Sequence, residues 1–162
     1  MYNLKINTYI KIIFFVCLVS IFSAYFIEYV LGHQPCNLCL IERIPYGLGI
    51  ILILSNYVLI KNTRIIVFSL FIIFIFSLLI SLYHFGIEQG YFEESAVCGL
   101  TGPSNITSKD ELLKQLPLKN VSCKDVTFRI FGFSLSLFNI IISSFLVIFL
   151  TKILKNYEKF KK

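Results

Sequence analysis

With 162 residues, 57% of them hydrophobic and only 15% charged, and a mean hydropathy of +0.81, the chain is too apolar for a water-soluble domain of its length. A soluble protein this small hides one core, whereas here the apolar residues fall into four long blocks separated by polar stretches. The net charge of +6 and pI near 9.1 are spread over separate segments with no nucleic-acid-binding pattern, so no DNA or RNA partner is expected.

The first block runs from about Ile12 to Leu31, the second from Ile44 to Ile60, the third from Ile65 to Phe85 and the fourth from about Ile130 to Leu150. A span needs ~20 apolar residues at a rise of ~1.5 Å each, so all four qualify and the second is the shortest. Lys5 and Lys11 ahead of the first block raise the alternative of a secretory signal peptide. The run is too long for one, no small-residue cleavage site follows, and three more spans come after it. The expected fold class is therefore all-α and integral to the membrane. It is a four-transmembrane-helix bundle forming a single membrane domain over residues 1–162, with loops at about 32–43 and 86–129 on one side.

Four spans put both termini on the same side. The N-terminal tail, the connection between spans two and three, and the C-terminal tail carry Lys5, Lys11, Lys61, Arg64, Lys152, Lys155, Lys159, Lys161 and Lys162 against the single acid Glu158. By the positive-inside rule that side is cytoplasmic, and the C-terminal lysines meet anionic lipid headgroups. Every cysteine except Cys17 then faces the outer compartment, which in a bacterium is the periplasm, where disulfides persist. Cys17, inside span one, reads as a small hydrophobe packed in the apolar interior. Glu28, about one turn from the outer end of that span, reads as solvated at the interface, with a buried proton carrier as the alternative.

The first outer loop holds Pro35-Cys36-Asn37-Leu38-Cys39. A C-x-x-C at a helix start suits reversible thiol chemistry, because the positive helix end stabilises a thiolate and the sulfurs are close enough to pair. The same spacing builds zinc sites, and with Cys98, Cys123, His33 and His84 a closed metal site is conceivable. Zinc ribbons bring a second close-spaced pair, whereas Cys98 and Cys123 stand far apart, so redox is favoured over metal and no metal ligand is assigned. Purely structural disulfides are the other alternative. If the second helix begins near Pro35, Cys36, Cys39 and Arg43 share one face at the membrane surface. An always-protonated guanidinium there stabilises a thiolate and donates to a carbonyl oxygen. Taken alone, it would instead read as an arginine snorkelling to headgroups. His33 reads as an exposed loop histidine, and His84, at the membrane edge, as either a headgroup contact or part of a site.

The second outer loop opens on the interfacial mixture Gly86-Ile87-Glu88-Gln89-Gly90-Tyr91-Phe92 and turns through Gly99-Leu100-Thr101-Gly102-Pro103. Ser108 and Glu111 then form a capping box, Leu112, Leu113 and Leu116 share a face, and Pro117 ends the turn. This predicts a short amphipathic helix lying on the bilayer. One cysteine pair on each outer loop lets electrons pass from loop to loop by thiol exchange. The chain has no nucleotide-binding Gly-rich pattern and no C-x-x-C-H haem attachment. A lipid-soluble acceptor reaching the C-x-x-C from the bilayer remains, and quinone is the candidate.

The chain resembles the DsbB family of quinone-linked disulfide-forming membrane proteins from the first span to the fourth. The resemblance rests on Pro35-Cys36-Asn37-Leu38-Cys39-Leu40-Ile41-Glu42-Arg43, on Tyr83-His84, on Glu88-Gln89-Gly90 before Cys98, and on Cys123 followed by Gly132-Phe133-Ser134-Leu135-Ser136-Leu137-Phe138-Asn139. It implies an inner-membrane oxidoreductase that reoxidises a periplasmic thioredoxin-fold thiol oxidase of the DsbA type and passes the electrons to ubiquinone or menaquinone. In that reading Cys98 receives the partner's attack and Cys123, its loop partner, exchanges onto Cys36. Cys39 contacts the quinone as a thiolate and Arg43 lines the ring site. His84 lies near the quinone with a neighbour at Gln89 or Glu88, Gln89 being the one assigned. The vitamin K epoxide reductase family shares the four-helix bundle, quinone and C-x-x-C but places its loop cysteines before the C-x-x-C, the opposite of the order here. A DsbI-type branch with a dedicated partner is compatible with the same motifs.

Overall fold

The computed structural model describes residues 2–58, 63–94, 97–98, 122–124, 128–130 and 132–159. Four helices account for most of them: α1 (Tyr2–Tyr29), α2 (Asn37–Val58), α3 (Thr63–Glu88) and α4 (Leu135–Lys159). Each contains a segment long and apolar enough to cross a membrane: Ile6–Tyr29, Asn37–Asn56, Thr63–Glu88 and Leu135–Lys155. The shortest has 20 residues, which at ~1.5 Å per residue is about 30 Å, the thickness of a bilayer's hydrocarbon core. The all-α four-helix class expected from the sequence is the one observed. The amphipathic helix expected around residues 108–117 lies outside the described residues.

Two helix starts differ from the apolar blocks. α2 begins at Asn37, ahead of the block that opens at Ile44, because Cys36, Glu42 and Arg43 turn toward protein rather than lipid and need no apolar character. α4 begins at Leu135, after Ile130, because a short antiparallel hairpin comes first: β1 (Arg129–Ile130) pairs with β2 (Phe133–Ser134), with Arg129 opposite Ser134. Gly132 turns that hairpin at φ +87°, a conformation side chains with a Cβ rarely adopt.

The helices stack in sequence order, α1 on α2 and α2 on α3, and the most extensive interface is between α3 and α4. The main apolar core gathers Ile10 and Ile13 of α1, Ile53 of α2, Leu70 and Phe74 of α3 and Leu146 and Leu150 of α4. Large apolar side chains such as Phe15, Phe22, Ile51, Phe76 and Ile148 point outward. Such a surface suits lipid, since only helices with internally satisfied backbones can present it to a bilayer.

Between the core and the outer end lies a layer of buried polar side chains. Tyr46 donates to Asn139 Oδ1, Asn139 Nδ2 donates to Ser81 Oγ at 2.7 Å, and Ser143 lies 3.1 Å from Ser77 and 3.3 Å from Tyr46. Small serines let α3 and α4 approach closely. Interhelical hydrogen bonds of this kind contribute about 0.6 kcal/mol each and set the rotation of one helix against another. That rotation turns Glu42, His84, Glu88 and Ser136 into one space above the layer.

Candidate active site

The site begins at the first turn of α2. Cys36 is the residue before the helix, and its carbonyl accepts the first helical bond from the Leu40 N–H at 3.2 Å. Its sulfur accepts from the Cys39 backbone N–H at 3.3 Å. A sulfur here does the work a serine or aspartate oxygen usually does at a helix N-cap, and it sits at the positive end of the helix. The Cys36 and Cys39 sulfurs lie 2.7 Å apart, and both thiols are free. The Cys39 thiol hydrogen bond is the largest influence holding the Cys36 thiol down to about 4. Burial opposes it, and the hydrogen bond and charge of His84 and the Cys39 N–H reinforce it.

The sign of that shift defines a measurement. A depressed thiol stays ionised at lower pH than an ordinary one, so its stabilising thiolate interactions hold through neutral pH and are lost as pH falls through about 4. Thiolate ultraviolet absorption and the alkylation rate of Cys36 in the reduced, metal-free protein are expected to stay level from about pH 8 to pH 5 and then drop. An ordinary thiol would already lose about tenfold per unit below its pKa near 8.5. A midpoint near that ordinary value would remove the thiolate from Cys36.

His84 reaches the pair from α3. It is 2% exposed, so it is no headgroup contact, and its Nε2 lies 3.5 Å from Cys36 Sγ. Its Nδ1 lies 3.1 Å from Glu42 Oε1. Glu88, one turn further along α3, brings Oε1 to 3.6 Å from Nε2. The end of α3 sets Glu88 and Gln89 apart. Gly90, at φ +78°, closes the helix with the Gly90 N–H on the Ile87 carbonyl at 3.0 Å and the Tyr91 N–H on the Gly86 carbonyl at 2.8 Å. Glu88 therefore stays in helical register, on the face of His84, while Gln89 is exposed and outside the cavity. Ser136 of α4 donates to the other Glu88 oxygen.

Arg43, one turn beyond Cys39, is half-buried. It donates to Glu28 of α1 and lies over the Tyr25 ring, 5.0 Å from its centroid. Glu28 is thus an ion-pair partner rather than a solvated interfacial acid. These groups surround a cavity of about 310 Å³, near the lower end of the range for small-molecule sites. Cys36, Cys39, Arg43, His84 and Glu88 form its polar end, while Val19, Ile27, Phe138 and Ile142 supply apolar wall. His33, read from the sequence as an ordinary loop residue, lines the same cavity and packs its ring on Phe128 at 4.8 Å. Cys17 is buried in the main core.

Cys98 and Cys123 form a disulfide with Cα atoms 5.4 Å apart. Both are buried in one cluster with Cys36, Leu38 and Ile87, and Cys123 also lines the cavity. Two tethers hold them there: Asn37 Nδ2 donates to the Val97 carbonyl at 2.8 Å, and Glu94 accepts from the Ser122 hydroxyl and from the Lys124 N–H at 3.0 Å. The Ser122 hydroxyl, followed by the Lys124 N–H, holds the Glu94 carboxyl below the usual carboxylate range.

The structure brings Cys36, Cys39, Arg43, His84 and Cys123 to one cavity, keeps Cys98 beside it through the disulfide, and leaves Gln89 outside. The sequence does not single out Glu42 or Glu28 as site residues. Glu42 lies three positions after Cys39, and that helical spacing was the only available signal. Glu28 had none, because its partner is on another helix.

Comparison with known proteins gives three results. Residues 7–153 match the family described as disulfide bond formation protein DsbB. An uncharacterized protein of Rickettsia prowazekii (strain Madrid E) is 27% identical over 143 residues, covering 86% of this chain and 82% of that protein. No solved structure matches.

Proposed function

The chain belongs to the DsbB family of disulfide bond formation proteins, multi-pass membrane oxidoreductases, and from that premise we propose that it oxidises a periplasmic DsbA-like thiol oxidase and delivers the electrons to membrane quinone. One observation carries the reading: a sulfur of the loop pair, both sulfurs of the C-x-x-C and the cationic and acidic groups of α2 and α3 line a single cavity. The nine basic residues on the other side support an orientation with both termini cytoplasmic and these cysteines in the periplasm of a bacterial inner membrane.

The relay balances as four exchanges. A thiolate of the reduced partner attacks Cys98, forming a mixed disulfide and releasing the Cys123 thiolate, which attacks Cys36 of an oxidised Cys36–Cys39 pair and frees Cys39. The partner's second thiolate then attacks its own sulfur in the mixed disulfide, so the partner leaves oxidised and Cys98 leaves as a thiolate. Cys98 attacks Cys123, restoring the loop disulfide and expelling Cys36. A thiol held down to about 4 is a good leaving group for that last step. Joined Cys98–Cys123 with free Cys36 and Cys39 is the arrangement that follows it.

Two electrons then leave the Cys36/Cys39 pair as its disulfide reforms, and quinone, when bound, accepts them with two protons. The apolar wall suits a ring, and Arg43, His84 and Glu88 suit its oxygens. Arg43, held by Glu28 and Tyr25, is placed to donate to a carbonyl, and His84 with Glu42 and Glu88 can carry the proton given up at the thiols. Purified protein given a reduced thiol-oxidase partner should reduce a soluble quinone analogue; failure with both ubiquinone and menaquinone analogues would overturn the proposal.

Arg43→Ala tests the ring site separately. Hydrogen bonds to charged groups contribute about 1.5–3 kcal/mol, so the apparent quinone KM is expected to rise about 10- to 100-fold. Mixed-disulfide formation at Cys98 should persist. An unchanged quinone KM would take Arg43 out of the site.

A further inference from the structure

We propose that the reduced Cys36/Cys39 pair, together with His84, is also a site for a thiophilic divalent cation such as Zn²⁺, with Glu88 as fourth ligand and Glu42 orienting the imidazole. This deepens the relay reading and rests on it in one respect: the pair must pass through a dithiol state. The sequence alone favours redox over metal because a second close-spaced cysteine pair is missing. The fold supplies the remaining ligands instead from α3.

The geometry is close to a tetrahedral site. With metal–sulfur bonds of about 2.3 Å and metal–nitrogen bonds of about 2.0–2.1 Å, a tetrahedron places its sulfur and nitrogen about 3.5 Å apart and its two sulfurs about 3.8 Å apart. Cys36 Sγ and His84 Nε2 are 3.5 Å apart, and the ligand atoms of Cys36, Cys39 and His84 all lie within 4.8 Å of one another. The two sulfurs, at 2.7 Å, must open by about 1 Å, which a small rotation of the half-buried Cys39 side chain supplies. Glu88 Oε1, at 3.6 Å from Nε2, lies outside that 4.8 Å group and closes the tetrahedron by swinging toward the sulfurs.

The surroundings match as well. Metal-bound histidines nearly always give their other ring nitrogen to a carboxylate or carbonyl, and His84 Nδ1 faces Glu42 Oε1 at 3.1 Å. Ser136 donates to the far oxygen of Glu88, leaving the near one for a ligand role. Two sulfurs and one imidazole select Zn²⁺ over Mg²⁺ or Ca²⁺.

Binding involves no redox change: the cation replaces the Cys39 thiol proton and the His84 Nε2 proton, both of which go to solvent. The metal-bound thiolates are then unavailable for disulfide formation, so the cation holds the enzyme in its reduced form. Once Cys36 and Cys39 are joined, two of the four ligands are gone. The site therefore exists only in the dithiol state, and the cation reports and traps that state.

The test titrates Co²⁺, and then Zn²⁺, into the purified full chain, reduced and oxidised. One equivalent of Co²⁺ is expected to give thiolate charge-transfer and tetrahedral d–d bands in the reduced protein only, bleached by Zn²⁺. Those bands should survive in Cys98→Ser/Cys123→Ser and vanish in Cys36→Ser and His84→Ala. Glu42→Gln, which keeps a hydrogen-bonding side chain, should bind about 10- to 100-fold more weakly. Absence of a stoichiometric tetrahedral spectrum, an unchanged spectrum in His84→Ala, Co²⁺ affinity unaltered by Glu42→Gln, or loss of the bands with the loop cysteines would each overturn the inference. Quinone reduction by the same preparation in chelator separates the two readings. Activity without metal binding overturns this one alone, and metal binding without activity overturns the relay alone.

Discussion

Replacing Cys36 or Cys39 with serine is expected to abolish thiol-driven quinone reduction, a fall of at least about 10³-fold, because neither residue has a substitute in the exchange. Among the described residues the other free cysteine, Cys17, is buried in the apolar core. The two variants should stop at different places. Without Cys36 no sulfur receives the exchange from Cys123, so electrons halt at the loop pair and the partner stays reduced or trapped on Cys98. Without Cys39, Cys36 has no partner with which to close a disulfide; its thiolate instead attacks Cys123 of the loop disulfide, so a Cys36–Cys123 link with a freed Cys98 thiol should accumulate. Non-reducing electrophoresis with mapping of the linked peptides distinguishes these patterns. Full quinone reduction by either variant would end the relay mechanism.

The second large effect is expected at His84. Its replacement by alanine removes both the hydrogen bond and the charge that help keep Cys36 ionised, so the pH midpoint of Cys36 alkylation should move upward from about 4. It also strands Glu42, which is 8% exposed and has lost the imidazole, and breaking a buried pair from one side costs about 3–5 kcal/mol. Unfolding of the detergent-solubilised protein should show that loss. His84→Leu combined with Glu42→Leu should recover much of the stability, since both buried charges go together, while Cys36 keeps its raised midpoint. Equal stability of wild type and His84→Ala would mean that Glu42 is not buried against the histidine. An unmoved alkylation profile would mean that His84 does not act on the thiol.

Both expectations turn on residues that differ in how legible they were. Cys36, Cys39 and Arg43 could be placed on one face from their spacing alone, because a helix repeats every 3.6 residues and fixes which neighbours meet. His84 could be marked as a candidate but not placed, since its neighbours Cys36 and Glu42 are more than forty positions away and no local rule relates them. The choice between Glu88 and Gln89 depended on where α3 stops. The Gly90 turn settles their positions by keeping Glu88 in the helix and leaving Gln89 exposed beyond the cavity. Glu28 reads as an interfacial acid until α1 is packed against α2, when it becomes the partner that holds Arg43. His33 likewise looked like a solvated loop residue until Phe128 arrived from the other loop.

By itself the sequence determined the four helices, the membrane setting and the identity of the thiol pair. Those follow from short-range quantities: runs of apolar residues long enough to cross a bilayer, the side on which lysines and arginines gather, and a C-x-x-C at a helix start. Only the tertiary structure decided what surrounds the thiols. The rotation of α3 and α4, set by the layer of Tyr46, Ser77, Ser81, Asn139 and Ser143, brings His84, Glu88 and Ser136 into one cavity. The tethers Asn37–Val97 and Glu94–Ser122 accompany the placement of the Cys98–Cys123 disulfide in the same buried cluster as Cys36. Each of those contacts joins segments distant in the chain, and such pairings are chosen by packing, which no window of local sequence contains.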